Sequence, residues 1–112
     1  MPLKIYYLDD EQDLCEVFQD TYSSDDTNIQ VFSEPAKFLD AISTSPPDLC
    51  FIDYRLPATT GDIIASKIDE RIPKYLITGD INISTKSKFN KILQKPCRSE
   101  IIEEILSEFL KR

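Results

Sequence analysis

Short apolar runs alternate with amphipathic stretches along the chain, and this alternation is what most constrains the fold. Residues 3–8 and 49–52 are runs typical of buried strands, while residues 12–22 carry apolar side chains at helical spacing. Three further short runs suit strands, at residues 29–32, 75–78 and 91–94. Strands that alternate with helices favour βαβ units with right-handed crossovers. The pattern therefore predicts an α/β fold, a (βα)5 doubly wound parallel five-stranded sheet.

One connection departs from the regular pattern. Apolar stripes predict three further helices. One is capped by Ser33 and has Pro35 in its first turn, one covers about residues 62–71, and one runs from a capping Ser99 to the end of the chain. Residues 81–90 (INISTKSKFN) have no such stripe and are rich in Ser, Thr, Asn and Lys. We therefore expect a short or irregular fourth helix.

Composition excludes several classes of protein. The 112 residues suit one domain over residues 1–112, and the net charge is -7. Nonspecific binding to nucleic acid or to an anionic membrane needs a basic surface, so we expect neither partner. No apolar run approaches the ~20 residues of a membrane span. The absence of histidine excludes zinc fingers and Ser-His-Asp triads, and three cysteines without a CxxC pair indicate reduced thiols in a cytoplasmic protein.

Polar side chains that suit chemistry stand at the ends of four apolar runs. Asp9 and Asp10 follow the first run, Asp53 follows the third, Thr78 closes the fourth and Lys95 follows the fifth. In an open parallel sheet the carboxyl ends of the strands meet at one edge, and ligands bind in the crevice there. Three carboxylates, a hydroxyl and an ammonium at one site suit a divalent cation and a phosphoryl group.

Each of these residues also has an ordinary structural interpretation. Asp9 or Asp10 could cap the first helix, Asp53 could be a turn residue, Thr78 could be a strand-end hydroxyl, and Lys95 could be solvated. The conjunction at four strand ends, rather than any one residue, favours a common site.

The motifs at these strand ends resemble those of the receiver domain of bacterial two-component response regulators. They are Leu8-Asp9-Asp10-Glu11, then Phe51-Ile52-Asp53-Tyr54-Arg55-Leu56-Pro57 with Gly61 after it, Thr78-Gly79 and Lys95-Pro96. The resemblance covers essentially the whole chain. It implies a flavodoxin-like strand order 2-1-3-4-5.

The resemblance also implies a magnesium site. Asp10 and Asp53 would bind Mg²⁺ directly, Asp9 would act through a water, and the backbone carbonyl of Arg55 would complete the protein ligands. Mg²⁺ prefers such oxygen ligands and keeps several of its waters.

Three residues take catalytic roles by the same resemblance. Asp53 would accept a phosphoryl group as an acyl phosphate, Lys95 would contact a phosphoryl oxygen, and Thr78 would move to hydrogen-bond the group. The movement of Thr78 would be the switch.

The expected function is that of a phosphorylation-dependent signalling switch in a two-component system or phosphorelay. A histidine kinase or a histidine phosphotransfer protein would supply the phosphoryl group, and an unknown downstream protein would receive the signal. The chain would be a stand-alone receiver or one excised from a larger protein. We expect no catalysis on an external substrate, and a monomer is favoured.

Two departures from the family pattern bear on these expectations. Receivers usually carry an aromatic residue three positions before the lysine, where this chain has Ile92, and the preceding helix is weak. Arg55 and Asp80 each lie two residues after a site residue, so we predict a salt bridge between them across the pocket.

Two alternatives stay open at this stage. The altered Ile92 position favours a degenerate receiver that binds a partner constitutively. An aspartyl-nucleophile phosphatase also combines Asp, Thr and Lys at strand ends, but the first strand here ends in Asp-Asp rather than Asp-x-Asp.

Overall fold

Five parallel strands form the central sheet of the computed structural model, which describes residues 2–112. In chain order the elements are β1 (Leu3–Leu8), α1 (Gln12–Tyr22), β2 (Thr27–Phe32), α2 (Pro35–Thr44), β3 (Leu49–Asp53), β4 (Arg55–Leu56), β5 (Thr59–Thr60), α3 (Gly61–Ser66), β6 (Lys74–Thr78), β7 (Lys91–Gln94) and α4 (Ser99–Leu110). Strands β4 and β5 form a separate two-stranded antiparallel hairpin.

The order of the main sheet is β2-β1-β3-β6-β7, with every pair parallel. This order confirms the predicted doubly wound arrangement 2-1-3-4-5. The register places Leu8 beside Ile52, Asp53 beside Ile77, and Thr78 beside Gln94. The carboxyl ends of β1, β3, β6 and β7 therefore meet at one edge, which is where the candidate site forms.

Alternation along the strands divides the core into two layers, because successive side chains point to opposite faces of a sheet. Tyr7, Phe51 and Tyr75 belong to the layer under α1 and α4. Tyr6 and Ile52 belong to the layer under α2 and α3. Since both faces are covered, β3 and β6 are buried along their whole length, and apart from the polar residues at their ends they are continuous apolar runs.

The helix expected between β6 and β7 does not form. Residues 79–90 contain only bends and irregular backbone, so residues 2–112 hold four helices rather than five. The backbone N–H groups of Lys86 and Ser87 each donate 2.8 Å bonds to the Asp62 carboxylate instead of to helical carbonyls. With no apolar stripe to bury, the segment gains more from these polar contacts than from a helix.

Three helix boundaries also differ from the predictions. Helix α2 begins after Glu34 and α4 after Arg98, and neither N-cap side chain makes a capping bond, so Ser33 and Ser99 are not the caps. Helix α3 ends at Ser66 rather than near residue 71, because turns follow in which Arg71 donates its N–H to the Asp69 carboxylate. These differences lie away from the strand ends that position the site.

Among residues 2–112, no helix has both the length and the apolar character needed to cross a membrane.

Candidate functional site

The five polar residues predicted from the strand ends converge at the carboxyl edge of the sheet. Asp53 ends β3, Thr78 ends β6, Asp9 and Asp10 follow β1, and Lys95 follows β7. Asp9, Asp53 and Thr78 are 0 %, 5 % and 1 % exposed, while Asp10 is exposed. Burial of this many polar groups at one edge needs partners for each, and the contacts below provide them.

Three carboxylates form the acidic side of the site. One oxygen from each of Asp9, Asp10 and Asp53 lies within 4.8 Å of the other two. Lys95 faces them, with its Nζ 2.9 Å from Asp53 Oδ1 and 3.9 Å from Asp9 Oδ2. One ammonium therefore offsets part of the charge of three carboxylates and leaves the cluster short of positive charge.

The two partners of the closest ion pair respond in different ways to this environment. Burial raises the pKa of Asp53, and repulsion from Asp9 and Asp10 adds to the increase, while the hydrogen bond from Lys95 opposes it. For Lys95, burial opposes the charge, but the hydrogen bond and the attraction to Asp53 outweigh it and raise the pKa. A cation added among the carboxylates would favour their ionised forms.

Asp9 is held by two hydrogen bonds that together fix its carboxylate. The Tyr7 hydroxyl donates to Oδ2 at 3.0 Å, and the Glu11 N–H donates to Oδ1 at 3.0 Å just before α1. Burial, together with the nearby Asp9 charge, raises the pKa of Tyr7, so its hydroxyl stays a donor. Asp9 therefore faces the site and also accepts a bond in the turn before α1, but the N-cap of that helix is Glu11, so neither Asp9 nor Asp10 caps it.

Close packing under Asp53 depends on Gly61 at the start of α3. A Cβ on Gly61 would lie 2.5 Å from the backbone oxygen of Asp53 and 2.8 Å from Leu76 Cδ1. Gly61 also donates its N–H to the carbonyl of Tyr54 at 2.7 Å, which closes the short β4–β5 hairpin. The absence of a side chain at this position lets α3 and the hairpin approach the strand that carries the acceptor candidate.

Thr78 is bonded on its loop side. Its Oγ1 accepts the backbone N–H of Asp80 at 3.0 Å and lies 3.5 Å from the carboxylate Oδ2 of the same residue. Arg55 forms the predicted salt bridge with Asp80, in which Nε to Oδ2 measures 2.9 Å and Nη2 to Oδ1 measures 3.0 Å. Gln94 donates its side-chain N–H to the carbonyl of Asp80 at 2.9 Å.

The acidic cluster fits a magnesium ion by the chemistry of its donors. Mg²⁺ takes hard oxygen ligands, is bound by one or two carboxylates, and keeps several waters. Asp53 and Asp9 are buried and Asp10 is exposed, so one side of the cluster opens to solvent that can complete an octahedral shell.

Sequence reasoning found the charged residues of this site but missed part of their support. It did not identify Tyr7 or Gln94 as partners, nor the close approach at Gly61. A signal existed for Tyr7, because residues two apart on an extended chain point to the same side, and Asp9 is two residues on. No local signal marks Gln94, whose contact with Asp80 depends on strand register.

Comparison with protein families gives one match that spans most of the chain. A model described as response regulator receiver domain matches residues 5–107. A comparison with curated protein sequences finds no match.

Solved structures of similar fold agree with this match. A signal receiver domain of an HD domain-containing protein from Pseudomonas fluorescens has a TM-score of 0.88 at 17% identity, over 99% of this chain and 96% of that one. A CheY-like receiver domain from Methylobacillus flagellatus has a TM-score of 0.83 at 22% identity, over 96% and 98%. A signal receiver domain of a Luxo repressor protein from Vibrio parahaemolyticus has 0.87 at 16%, over 100% and 92%. At these identities the likeness establishes a shared fold.

Proposed function

The chain belongs to the response regulator receiver domain family, and from that premise we propose that it is a signalling switch phosphorylated on Asp53. The observation that carries the proposal is the ion pair of 2.9 Å between Lys95 and Asp53, set beside the carboxylates of Asp9 and Asp10. An acceptor carboxylate, a fixed cation and two further acidic side chains at one strand edge suit phosphoryl transfer better than any simple structural role.

The transfer step uses the Asp53 carboxylate as nucleophile. One of its oxygens attacks the phosphorus of a phosphohistidine on a histidine kinase or histidine phosphotransfer protein. The P–N bond breaks, the imidazole nitrogen keeps the electron pair, and an acyl phosphate forms. Lys95 remains beside the phosphoryl group, and its positive charge offsets the negative charge that Asp53 gains. Hydrolysis of the P–O bond by water then releases phosphate and restores the carboxylate.

Asp9, Asp10 and Asp53, with the backbone carbonyl of Arg55, would hold Mg²⁺ in this site. The family binds the ion at such an acidic pocket, and the three carboxylates present here are the matching donors. When bound, the ion supplies positive charge that lets the phosphoryl oxygens approach the carboxylates.

Thr78 would transmit the change. Its hydroxyl oxygen now accepts the N–H of Asp80 at 3.0 Å, and its hydroxyl hydrogen has only a long 3.5 Å contact with the Asp80 carboxylate. A phosphoryl group on Asp53 would offer that hydrogen a charged acceptor at closer range. A turn of Thr78 toward that group would release the Asp80 N–H and let residues 79–90 move. A local charge change would thereby alter the surface beside β7.

Residues 1–112 would act as one receiver domain in the cytoplasm, as a monomer that signals to a downstream protein by contact. It would catalyse only its own phosphoryl transfer and autodephosphorylation, with no turnover of an external substrate.

A second candidate is a degenerate receiver that binds its partner without phosphorylation. Two observations favour it: residues 79–90 form no helix, and Ile92 on the neighbouring strand is 42 % exposed. In that case the site would be kept for stability, and the surface beside β7 would be constitutively competent.

The decisive experiment is the intact mass of the protein after incubation with Mg²⁺ and acetyl phosphate. We expect a phosphoryl adduct on the wild type that is absent from Asp53→Asn and absent without Mg²⁺. Asp25→Asn, which removes an exposed carboxylate from the α1–β2 turn, is the matched control and should keep the adduct.

A wild type that neither forms the adduct nor binds beryllofluoride would contradict the switch and leave the degenerate receiver. Beryllofluoride, which imitates the acyl phosphate, would be tested in parallel by amide spectra, since a protein that binds it but resists acetyl phosphate needs only a protein donor.

A further inference from the structure

Tyr7 contacts the acidic cluster with its hydroxyl and is fixed in place by its ring. The residue is 5 % exposed, and its ring stacks on that of Phe18 from α1, with centroids 4.2 Å apart and 15° between the planes. Phe18 in turn packs against Phe51 of β3, with centroids 5.2 Å apart. Because a ring in a close-packed layer keeps its orientation, the Tyr7 hydroxyl is held at one position, where it donates to Asp9.

The two oxygens of the Asp9 carboxylate have different partners. Oδ1 accepts the N–H of Glu11 at 3.0 Å, and Oδ2 accepts the Tyr7 hydroxyl at 3.0 Å. Oδ2 also faces Lys95, whose Nζ is 3.9 Å from it and 2.9 Å from Asp53 Oδ1. The donor that binds Oδ2 is therefore the neutral hydroxyl, and the ammonium is left to Asp53.

A neutral donor and a cation act differently on a buried carboxylate. Asp9 is 0 % exposed, so its oxygens need hydrogen-bond partners within the protein. A hydroxyl satisfies one oxygen and leaves the negative charge of the carboxylate in place, whereas an ammonium at the same distance would also offset that charge. With Tyr7 as the donor, Asp9 keeps its charge for a metal ion.

We propose that Tyr7 is a positioning residue of this site, whose hydroxyl fixes the Asp9 carboxylate for magnesium binding and keeps the Lys95 ammonium on Asp53. The inference rests on the function proposed above and adds to it a buried residue that acts through Asp9. Without the hydroxyl, Oδ2 would lack its donor, and Lys95 at 3.9 Å is the cation that can replace it. Asp9 would then turn toward Lys95, which would weaken both the metal site and the pairing of Lys95 with Asp53.

Tyr7→Phe is the direct test, because it removes the hydroxyl and keeps the packed ring. We expect the affinity for Mg²⁺ to fall by roughly 10-fold, as when other groups that orient metal ligands are removed. NMR titration with MgCl2, followed at the amide of Asp10, measures the dissociation constant without a phosphoryl donor. An unchanged affinity would overturn the inference. A higher affinity would also overturn it, since the hydroxyl would then restrain Asp9 instead of supporting it.

Tyr6→Phe is the matched control on the same strand. Tyr6 is also buried and donates its hydroxyl to the carbonyl of Ser45 at 2.7 Å, but it belongs to the layer on the opposite face of the sheet. This variant loses one hydroxyl and one hydrogen bond and should keep the wild-type affinity for Mg²⁺. An equal loss of affinity in both variants would assign the effect to a general loosening of β1 and contradict the role of Tyr7.

A double variant tests whether Tyr7 acts through Asp9. Asp9→Asn removes the charge that Tyr7 positions, so Tyr7→Phe should cause no further loss of Mg²⁺ affinity in the Asp9→Asn background. If the full loss persisted in that background, Tyr7 would act by another route and the inference would fail.

Amide exchange tests the orientation of Asp9 in the absence of metal. The N–H of Glu11, which is bonded to Asp9 Oδ1, should exchange faster in Tyr7→Phe than in the wild type because the carboxylate turns away from it. The N–H of Lys4 donates to the Asp48 carboxylate at 2.7 Å near the other end of β1 and should exchange at the same rate in both proteins. Unchanged exchange at Glu11 would mean that Asp9 keeps its orientation without Tyr7.

The placement of Lys95 has its own signature in the metal-free protein. In Tyr7→Phe, nuclear Overhauser contacts from the Lys95 side chain to Asp9 should strengthen relative to those to Asp53. In Tyr6→Phe their ratio should match the wild type. A ratio that is the same in all three proteins would contradict the proposed effect of Tyr7 on Lys95.

The outcomes separate this inference from the function on which it rests. Equal Mg²⁺ affinity in the wild type and Tyr7→Phe, while the wild type forms its adduct with acetyl phosphate, would overturn the role of Tyr7 alone. A wild type that binds neither Mg²⁺ nor beryllofluoride and forms no adduct would overturn the proposed function and this role together.

Discussion

The carboxyl edge of the sheet and residues 79–90 are adjacent in the molecule but are held in different ways. Asp53 and Thr78 end strands whose backbones are paired on both sides, and their side chains are buried. Residues 79–90 have no regular structure. Among their contacts with the rest of the molecule are the bonds from Lys86 and Ser87 to Asp62 and the packing of Phe89 against the layer under α2 and α3.

This difference suits the separate roles that we propose for the two regions. Residues that position a reacting group need fixed backbones, which a buried parallel sheet provides. A segment that changes with the state of the site needs low local stability, which few buried contacts and exposed polar bonds provide. Thr78 and Asp80 stand where the two regions meet.

The largest effect should come from comparing the inner strand β6 with the edge strand β7, which follows residues 79–90. Leu76 and Ile92 are directly opposite in register, but Leu76 is 0 % exposed and Ile92 is 42 % exposed. We expect Leu76→Ala to lower the free energy of unfolding by about 3 kcal/mol, and Ile92→Ala by about 1 kcal/mol or less. Urea denaturation measures both. Equal losses would mean that Ile92 on the edge strand β7 is as well packed as Leu76 on β6.

The two glycines of the chain provide the next test. Gly61→Ala places a methyl group 2.5 Å from the Asp53 carbonyl oxygen, whereas a Cβ on Gly79 meets nothing within 4 Å. We expect Gly61→Ala to cost about 2 kcal/mol of stability, because the backbone under the acceptor has to shift. Phosphorylation by acetyl phosphate should also slow down.

Gly79→Ala is the matched control, and thermal denaturation of the two variants checks the difference. If Gly79→Ala were as destabilising as Gly61→Ala, the tight packing at Asp53 would not be the cause.

A substitution of Asp62 on α3 tests how residues 79–90 are held against that helix. Asp62→Asn weakens the bonds accepted from Lys86 and Ser87, so we expect faster amide exchange at both residues and a loss of about 1 kcal/mol in stability. Amide exchange by NMR locates the change. Protection lost throughout β3 as well would show that the segment is part of the core rather than a separate, weaker region.

Low pH should also weaken the bonds from Lys86 and Ser87 to Asp62 in the wild type. Partial burial opposes ionisation of Asp62, but the hydrogen bonds from Lys86 and Ser87 outweigh it and lower the pKa of the carboxyl. A lowered pKa in the folded state means that the contribution to stability is present above the unfolded value, about 3.9, and is lost as pH falls through the folded value. Exchange at Lys86 and Ser87, corrected for its intrinsic pH dependence, should therefore rise below about pH 4, and less so in Asp62→Asn.

Thiol labelling gives the smallest effect, with no expected change in stability. Burial raises the pKa of Cys50 in β3 to about 12 and that of Cys15 in α1 to about 11. Cys97, in the turn after β7, is only partly buried. Because the thiolate is the reactive form and needs access, iodoacetamide at pH 8 should modify Cys97 first and Cys50 last. Mass spectrometry of the labelled peptides follows the order, and early labelling of Cys50 would show that β3 opens.

Much of the fold and of the candidate site was predictable because it depends on local patterns. Apolar runs of strand length predicted the five strands. Positions at the ends of these strands predicted which polar residues would meet at one edge of the sheet: Asp9, Asp10, Asp53, Thr78 and Lys95. The salt bridge between Arg55 and Asp80 was also predictable, because both positions are counted from strand ends that are neighbours in the sheet.

The remaining features depend on contacts between residues far apart in sequence. Asp62 binds Lys86 and Ser87, which lie 24 and 25 residues further along, and no local pattern at either place indicates the contact. The irregularity of residues 79–90 was predictable, but the absence of any helix there was not, because the Asp62 carboxylate that binds the N–H groups of Lys86 and Ser87 lies on α3.

By itself, the sequence determined the alternation of strands and helices and the residue types that stand at the strand ends. These follow from residue type and from spacing along the chain. Only the tertiary structure decided which partners hold the site residues: Tyr7 on Asp9, Asp80 on Thr78, and Gly61 under Asp53. The physical reason is that hydrogen bonds and close packing act over a few ångströms in space, and strand order and register set those distances.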